Sequence, residues 1–287
     1  MKKTLIALAV LGTSISGVAN AWTSGDFNGS VNIGGNIVAD NFSQKWEWAV
    51  GSSINGFNNA LKELTEDGKK LTITVHGNKA ILLGRTTEAF STPTSGGWGA
   101  IPQIAFTDYE GQAVTLENPA GETNKGLASF VLPMKDATGA KLGSVKVNAS
   151  YAGVALASVL PSVGSYSNIF SLYGGGADRI FNGGLPINVP GSELRSGIAA
   201  AERTGLFGSL SQADMTAQLQ AVDPTAAADI RDYGNATTTM GADINTATSA
   251  AYALGIADGQ TIEATFNNAV TASIQWSAPL NVAVTYN

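Results

Sequence analysis

Residues 26–40 have the sequence DFNGSVNIGGNIVAD. Phe27, Val31, Ile33 and Ile37 occupy alternate positions, and small polar residues lie between them. Alternation with period two is typical of a β-strand. A single strand of about 13 residues is unusually extended for a globular domain, and interior glycines weaken a strand within its own sheet. We therefore expect residues 22–39 to form a donor strand that is mobile when free and ordered when it joins another sheet. An ordinary edge strand of the same domain is the alternative.

The first 21 residues have the features of a secretory signal peptide. Lys2 and Lys3 precede an apolar run, residues 4–12, that is too short to span a bilayer. Ala19-Asn20-Ala21 matches the A-x-A cleavage pattern. The mature chain is expected to begin at Trp22, to be exported and to contain no transmembrane segment.

The composition excludes several classes of site. The 287 residues include no cysteine and one histidine, His76, which excludes a disulfide scaffold, a cysteine nucleophile and any metal site built on cysteine or on two histidines. The net charge is −6 and becomes −8 once Lys2 and Lys3 are removed. This balance disfavours nucleic acid and anionic lipid as partners.

Most of the chain after residue 70 alternates with period two, which predicts antiparallel strands with one solvated face. Alternate apolar positions fall at residues 71–75, 145–151, 262–266 and 270–276. Turn residues separate these runs at 76–79, 136–139, 258–259 and 267–268, and such residues favour tight hairpins. Trp46 and Trp48 share one strand face and are expected in the core or at the rim of a groove. Short strands with frequent turns favour an immunoglobulin-like β-sandwich.

Residues 152–249 lose this alternation and are expected to form an inserted α-helical subdomain. Ser211 is a predicted helix N-cap with Asp214 as the capping-box acid and Leu210 with Met215 as the hydrophobic staple. Asp223-Pro224 predicts a second helix start. The remaining mature chain, residues 40–287, is predicted to be one immunoglobulin-like domain.

The last residues alternate again and predict a C-terminal strand. Its alternating residues are Leu280, Val282, Val284 and Tyr286. This strand is expected to belong to a sheet and to carry a surface by which a chaperone caps an incomplete sheet.

Five stretches, in the same order, resemble the major, adhesive subunits of chaperone–usher fimbriae of the FaeG and ClpG type over essentially the whole chain. They are residues 25–30, 44–48, 81–86, 104–111 and 275–282. The resemblance implies an incomplete immunoglobulin-like sandwich whose groove is filled by the N-terminal strand of an identical subunit. It also implies storage on a periplasmic chaperone, assembly at an outer-membrane usher, and a fimbria on the bacterial cell surface.

In this family the inserted subdomain binds host carbohydrate, so a glycan site is expected there. Aromatic, charged and amide side chains on a glycine-rich loop are typical sugar ligands. The candidates are Tyr173, Asp178, Arg179, Phe181, Asn182, Arg195 and Arg203. The alternative is a purely structural or capsule-like surface subunit without lectin activity.

Catalytic and other structural readings are weaker, and no cofactor, metal or enzymatic activity is expected. His76 has no G-x-S-x-G nucleophile motif near it. Asp108 and Glu110 are close in sequence, but a glycosidase pair requires a cleft. An outer-membrane barrel is disfavoured by the alanine-rich helices and the terminal Asn287. A secreted hydrolase stays open to a substrate screen.

Overall fold

The computed structural model describes residues 34–51, 54–95, 97–159, 166–186, 191–226, 229–241 and 245–287. Backbone contacts divide the chain into two units, residues 1–38 and 39–287. The described part of the first unit has no regular secondary structure, and Ile37 and Val38 are exposed. The predicted signal peptide and most of the predicted donor strand lie outside the described residues.

The second unit is built mainly from β-strands. The strands are β1 (Trp46–Val50), β2 (Lys70–Thr74), β3 (Lys79–Thr86), β4 (Pro102–Asp108), β5 (Leu127–Lys135), β6 (Lys141–Val159), β7 (Ser167–Leu172), β8 (Ile230–Ala236), β9 (Thr246–Ile256), β10 (Thr261–Phe266) and β11 (Leu280–Tyr286). The helices are α1 (Gly197–Phe207) and α2 (Gln212–Val222), with single 3-10 turns at Ser43–Lys45 and Leu61–Glu63. The predicted fold class, a mainly β sandwich with a helical insert, is confirmed.

The long strand β6 pairs with four other strands of the larger sheet. Its first half pairs with β5 on one edge and β10 on the other, and its second half pairs with β7 and β9. The sheet continues from β10 to β2 and from β9 through β3 to β1. Strands β4 and β11 form a separate two-stranded sheet. Side chains from both sheets form one core cluster, which includes Ile104 and Phe106 of β4 and Phe130 and Val147 of the larger sheet.

The β5–β6 hairpin is confirmed at residues 136–139. The Asp136 carboxylate accepts hydrogen bonds from the backbone N–H groups of Thr138 and Ala140 at 2.8 and 2.9 Å. Gly139 has a φ of +93°, which a glycine adopts without steric cost. The Thr138 hydroxyl also donates to this carboxylate at 2.7 Å, and this hydrogen bond together with those from the backbone lowers the pKa of Asp136.

The predicted hairpins at 76–79 and 258–259 are wrong. Strands β2 and β3 do not pair with each other, because they run in one direction along β10 and β9. Residues 75–78 and 257–260 instead contact each other. Gly77 N–H donates to the Asp258 carboxylate at 2.6 Å, and Asp258 N–H donates to the Asn78 side chain at 3.1 Å. The predicted turn residues therefore join consecutive strands that do not pair with each other.

A second apolar cluster joins the helices to the far half of β6. Ala152, Val154 and Leu156 pack with Ala200 of α1 and Met215 of α2. A strand covered on both faces has a continuous apolar sequence, which explains why alternation ends at residue 152 although the strand continues to residue 159. The assignment of residues 152–249 as a separate inserted subdomain stays a prediction.

Helix α2 begins as the capping pattern predicts, whereas the second predicted start is wrong. Asp214 N–H donates to the Ser211 hydroxyl at 3.3 Å and Ser211 N–H donates to the Asp214 carboxylate at 2.8 Å. Asp223, however, is the C-cap of α2 and is followed by a turn. Residues 270–276 form no strand either, although their alternation predicts one.

Candidate functional site: an open apolar groove

A cavity of about 970 Å³ opens between the larger sheet and β11. Its floor is made of buried core residues, namely Phe130, Leu132, Val145, Val147 and Ile262. Its walls come from β11, from the segment before β11 and from residues 50, 51 and 54–58. A second cavity of about 330 Å³ shares Phe57, Asn58, Ile274 and Trp276 with the first. We call the two together the open groove.

The walls of the open groove are apolar and only partly covered. Ile54, Phe57, Trp276, Leu280 and Val282 are half-buried, and they pack against the core. Ile274 is 40% exposed. Among the described lining residues of the larger cavity, Asp136 is the one charged side chain. A ligand for this surface must therefore be predominantly apolar.

Strand β11 has a main-chain edge beside this cavity that no strand of the described residues occupies. All seven of its residues are in antiparallel register with β4, from Leu280↔Asp108 to Tyr286↔Pro102. Within the described parts of the chain, no strand pairs with the opposite edge of β11. An exposed edge of this kind is a template for a further strand.

The four alternating residues predicted for β11 share one face. Leu280, Val282, Val284 and Tyr286 are half-buried against the core, and the residues between them are exposed. The Tyr286 hydroxyl accepts a hydrogen bond from Trp48 Nε1 at 3.0 Å. Burial raises the pKa of Tyr286. Their recognition by a chaperone stays a prediction.

An unpaired edge beside an apolar cavity can bind an extended peptide. Main-chain hydrogen bonds to the edge supply affinity, and alternate side chains of the peptide enter the cavity. Of the predicted donor residues, Phe27, Val31 and Ile33 lie outside the described residues, and Ile37 is exposed. The donor strand therefore stays a prediction, and the open groove is a surface to which such a strand can bind.

The predicted glycan residues are dispersed around the glycine-rich loop. Asp178 and Arg195 are exposed, whereas Tyr173, Arg179 and Asn182 are partly buried. Arg179 forms an ion pair with Asp178 at 3.4 Å. These five residues stay candidates for a surface site.

The prediction for Phe181 is wrong, because its side chain lies in the interior. Phe181 is fully buried and packs edge-on against Trp46 and Trp48, with ring centroids 5.6 and 6.1 Å away. A buried ring has no face to offer a sugar.

The guanidinium of Arg203 donates to the backbone carbonyls of Lys125 and Gly126 at 2.6 and 2.9 Å. Burial lowers the pKa of Arg203. Arg203 is partly buried and stabilises these carbonyls, and its role in glycan binding stays a prediction.

Sequence reasoning missed an aromatic surface on the neighbouring strands. Tyr166 is 40% and Tyr233 69% exposed. The Arg231 guanidinium lies 3.3 Å from the centre of the Tyr166 ring, and Tyr233 makes an edge contact with Phe170 at 6.2 Å. We call Tyr166, Arg231 and Tyr233 the aromatic surface. The signal was the i, i+2 spacing of Arg231 and Tyr233, which places both on one face of β8.

Asp108 and Glu110, which invite a catalytic reading, make contacts that stabilise the fold. The buried Asp108 carboxylate accepts hydrogen bonds from the N–H groups of Glu110 and Gln112 at 2.8 and 2.9 Å, so it caps a turn. Glu110 forms an ion pair with Lys141 at 3.0 Å. His76 is exposed between β2 and β3. No cluster of three or more potential metal ligands occurs in the described ranges.

Comparison with known proteins decides the family. The family model described as "Fimbrial, major and minor subunit" matches residues 1–287. The chain belongs to this fimbrial subunit family. The fimbrial subunit is 61% identical over 286 residues to K88 fimbrial protein AB of Escherichia coli and 60% identical over 287 residues to K88 fimbrial protein AC, with both chains covered completely in each case. It is also 27% identical over 295 residues to the F41 fimbrial protein of Escherichia coli, again over the whole of both chains.

The similarity to these relatives shows that the protein is a structural subunit of a surface fimbria. None of the helices in the described residues is long and apolar enough to cross a membrane. The open groove and the β11 edge are therefore features of a subunit that is incorporated into fimbriae.

Proposed function

We propose that the fimbrial subunit polymerises by donor-strand complementation, in which residues 22–39 of one copy fill the open groove of the next. The observation that carries this proposal is the juxtaposition of the apolar cavity and the unpaired edge of β11. A strand inserted there completes the sheet and covers the half-buried wall residues. The alternation of Phe27, Val31, Ile33 and Ile37 supplies apolar side chains at the spacing that one face of a strand requires.

The same features favour a partner that covers the groove before assembly. An open groove with a free strand edge is an aggregation hazard in an isolated subunit. We assign this protection to a periplasmic chaperone that contacts the face of Leu280, Val282, Val284 and Tyr286. Transfer at an outer-membrane usher then exchanges the chaperone for the donor strand. The proposal needs no cofactor and assigns no catalytic activity to the chain.

Co-expression of a truncated subunit tests the assembly proposal. A subunit without residues 22–39 keeps its groove, so it can accept a donor strand but cannot provide one. It is expected to occupy only terminal positions and to shorten fimbriae as its proportion rises, as measured by electron microscopy. Incorporation of epitope-tagged truncated copies along the length of normal fibres would refute the proposal.

We propose adhesion to host glycoconjugates as a second function, favoured by the aromatic surface. Exposed aromatic rings beside a guanidinium offer both stacking and hydrogen bonds to a sugar. The further candidates are Tyr173, Asp178, Arg179, Asn182, Arg195 and Arg203. Weak binding at one site is amplified because each copy in a fibre presents it. A purely structural subunit is the alternative.

Two exposed positions separate adhesion from a structural role. Tyr233→Ala removes a 69% exposed ring, and Leu206→Ala is the control, since Leu206 is 59% exposed on α1. Fimbriae of each variant are compared for binding to intestinal glycoconjugates after electron microscopy has established equal fibre length. Reduced binding by Tyr233→Ala alone supports adhesion through the aromatic surface. Unchanged binding by Tyr233→Ala and by variants of the other candidates favours the structural alternative.

A further inference from the structure

Trp98 lies beside the point at which the predicted donor strand joins the compact unit. Trp98 N–H donates to the Asp40 carbonyl at 2.9 Å, and Phe42 N–H donates to the Trp98 carbonyl at 2.7 Å. Asn41 and Trp98 form a parallel β-bridge. The predicted donor strand ends at residue 39, so its last residue is covalently next to the residue that Trp98 holds.

The glycines on either side of Trp98 pack closely against Phe42 and Ser43. A Cβ at Gly97 would lie 2.4 Å from the Phe42 ring, and a Cβ at Gly99 would lie 2.4 Å from the Ser43 nitrogen. Gly99 has a φ of +88°, and its N–H donates to the carbonyl of the terminal residue Asn287 at 3.1 Å. Trp98 therefore lies between two glycines whose backbone packs closely against Phe42 and Ser43.

The indole of Trp98 is nevertheless 49% exposed. Trp46, Trp48 and Trp276, the other tryptophans in the described residues, are buried or half-buried. A large aromatic side chain exposed at a surface is typical of the centre of a protein–protein interface.

Chain connectivity determines what lies against this indole in the polymer. Consecutive Cα atoms are about 3.8 Å apart. A copy that binds residues 22–39 of its neighbour therefore lies within one or two residue lengths of the neighbour's Asp40. We propose that Trp98 contacts the neighbouring copy that receives the donor strand, an inference that rests on the proposed mode of assembly. The receiving copy offers apolar partners, because Val50 is 70% and Leu61 48% exposed and each lines a part of its open groove.

Cysteine labelling in assembled fimbriae tests this contact, because the chain has no cysteine of its own. Trp98→Cys is compared with Leu206→Cys, whose native side chain is 59% exposed. For each variant, the rate of maleimide labelling in intact fimbriae is divided by the rate in the denatured chain. Since interface centres exclude solvent, we expect labelling at 98 to be slower by about tenfold or more than at 206. Equal normalised rates at the two positions would overturn the inference.

A measurement on wild-type fimbriae covers the case in which Trp98→Cys does not assemble. Hydroxyl-radical oxidation followed by mass spectrometry compares Trp98 with the buried Trp46 and the exposed Tyr233. Oxidation of Trp98 at the level of Trp46 supports the contact, and oxidation at the level of Tyr233 contradicts it. Fimbriae that form without residues 22–39 would refute the assembly proposal itself. Fimbriae that require those residues but leave Trp98 reactive overturn the Trp98 contact alone.

Discussion

Ile274→Asp places a charge in the open groove at a position where the unfilled subunit tolerates it. Ile274 lies in a segment without regular structure, is 40% exposed and lines both cavities. Water therefore still reaches the aspartate in the unfilled subunit. A donor strand in the groove removes that water, so the substitution is expected to act mainly on the polymer.

The cost has two parts. Complete burial of an isoleucine side chain contributes about 1.5–3 kcal/mol, so covering the exposed 40% contributes about 1 kcal/mol, and the variant loses this. A carboxyl group buried without a partner becomes neutral, and raising its pKa from about 3.9 to above 7 costs about 4 kcal/mol at pH 7. A loss of about 5 kcal/mol corresponds to more than a thousandfold in the equilibrium between filled and open grooves.

The assay is the temperature at which purified fimbriae dissociate into subunits. Thr271→Asp is the control, because it adds the same charge at an exposed position of the same segment that lines neither cavity. The filled groove raises the pKa of the new carboxyl, so its penalty is present above the pKa of the open state and disappears as the pH falls toward 4. Equal dissociation temperatures for Ile274→Asp, Thr271→Asp and wild type at pH 7 would refute the reasoning.

Three further substitutions test the interior of the subunit. Burial raises the pKa of Tyr252 well above 10. The folded state is therefore expected to lose stability as the pH rises above 10, because the phenol ionises in the unfolded chain. In thermal unfolding between pH 9 and 12, Tyr252→Phe should lose less stability with rising pH than the wild type. Arg203→Ala leaves backbone carbonyls without their donor and should cost about 2–3 kcal/mol in denaturant unfolding. Ser211→Ala removes the cap of α2 and should cost about 1 kcal/mol in the same assay, whereas Ser211→Thr keeps the hydroxyl that donates to Asp214 and should restore most of it.

The sequence predicts those parts of the fold in which a strand has one wet face. The apolar positions of β2 and β10 are buried as their alternation indicates, and the cap of α2 lies at Ser211. The sequence does not predict the far half of β6 as a strand. Helices cover one of its faces and the core covers the other, so the polar positions that mark a strand are missing.

The other errors arise from contacts between distant parts of the chain. A turn sequence at 76–79 specifies a backbone geometry but not the strand that pairs beside it, so β2 and β3 were wrongly joined as a hairpin. Residues 270–276 alternate because Val270, Ala272, Ile274 and Trp276 all line the smaller cavity, without a strand partner among the described residues. Phe181 was expected at the surface because a glycine-rich loop surrounds it, yet its ring fills a pocket formed by distant aromatic residues.

Disulfide trapping tests most directly whether the donor strand acts between copies. In a chain without native cysteines, Ile33→Cys is combined in separate variants with Leu280→Cys, Val282→Cys or Val284→Cys, and fimbriae are analysed without reducing agent. The account predicts that at least one pair links neighbouring copies into a ladder of covalent oligomers, while each single-cysteine variant remains monomeric after denaturation. A disulfide that closes within one chain, leaving only monomers from intact fimbriae, would contradict it.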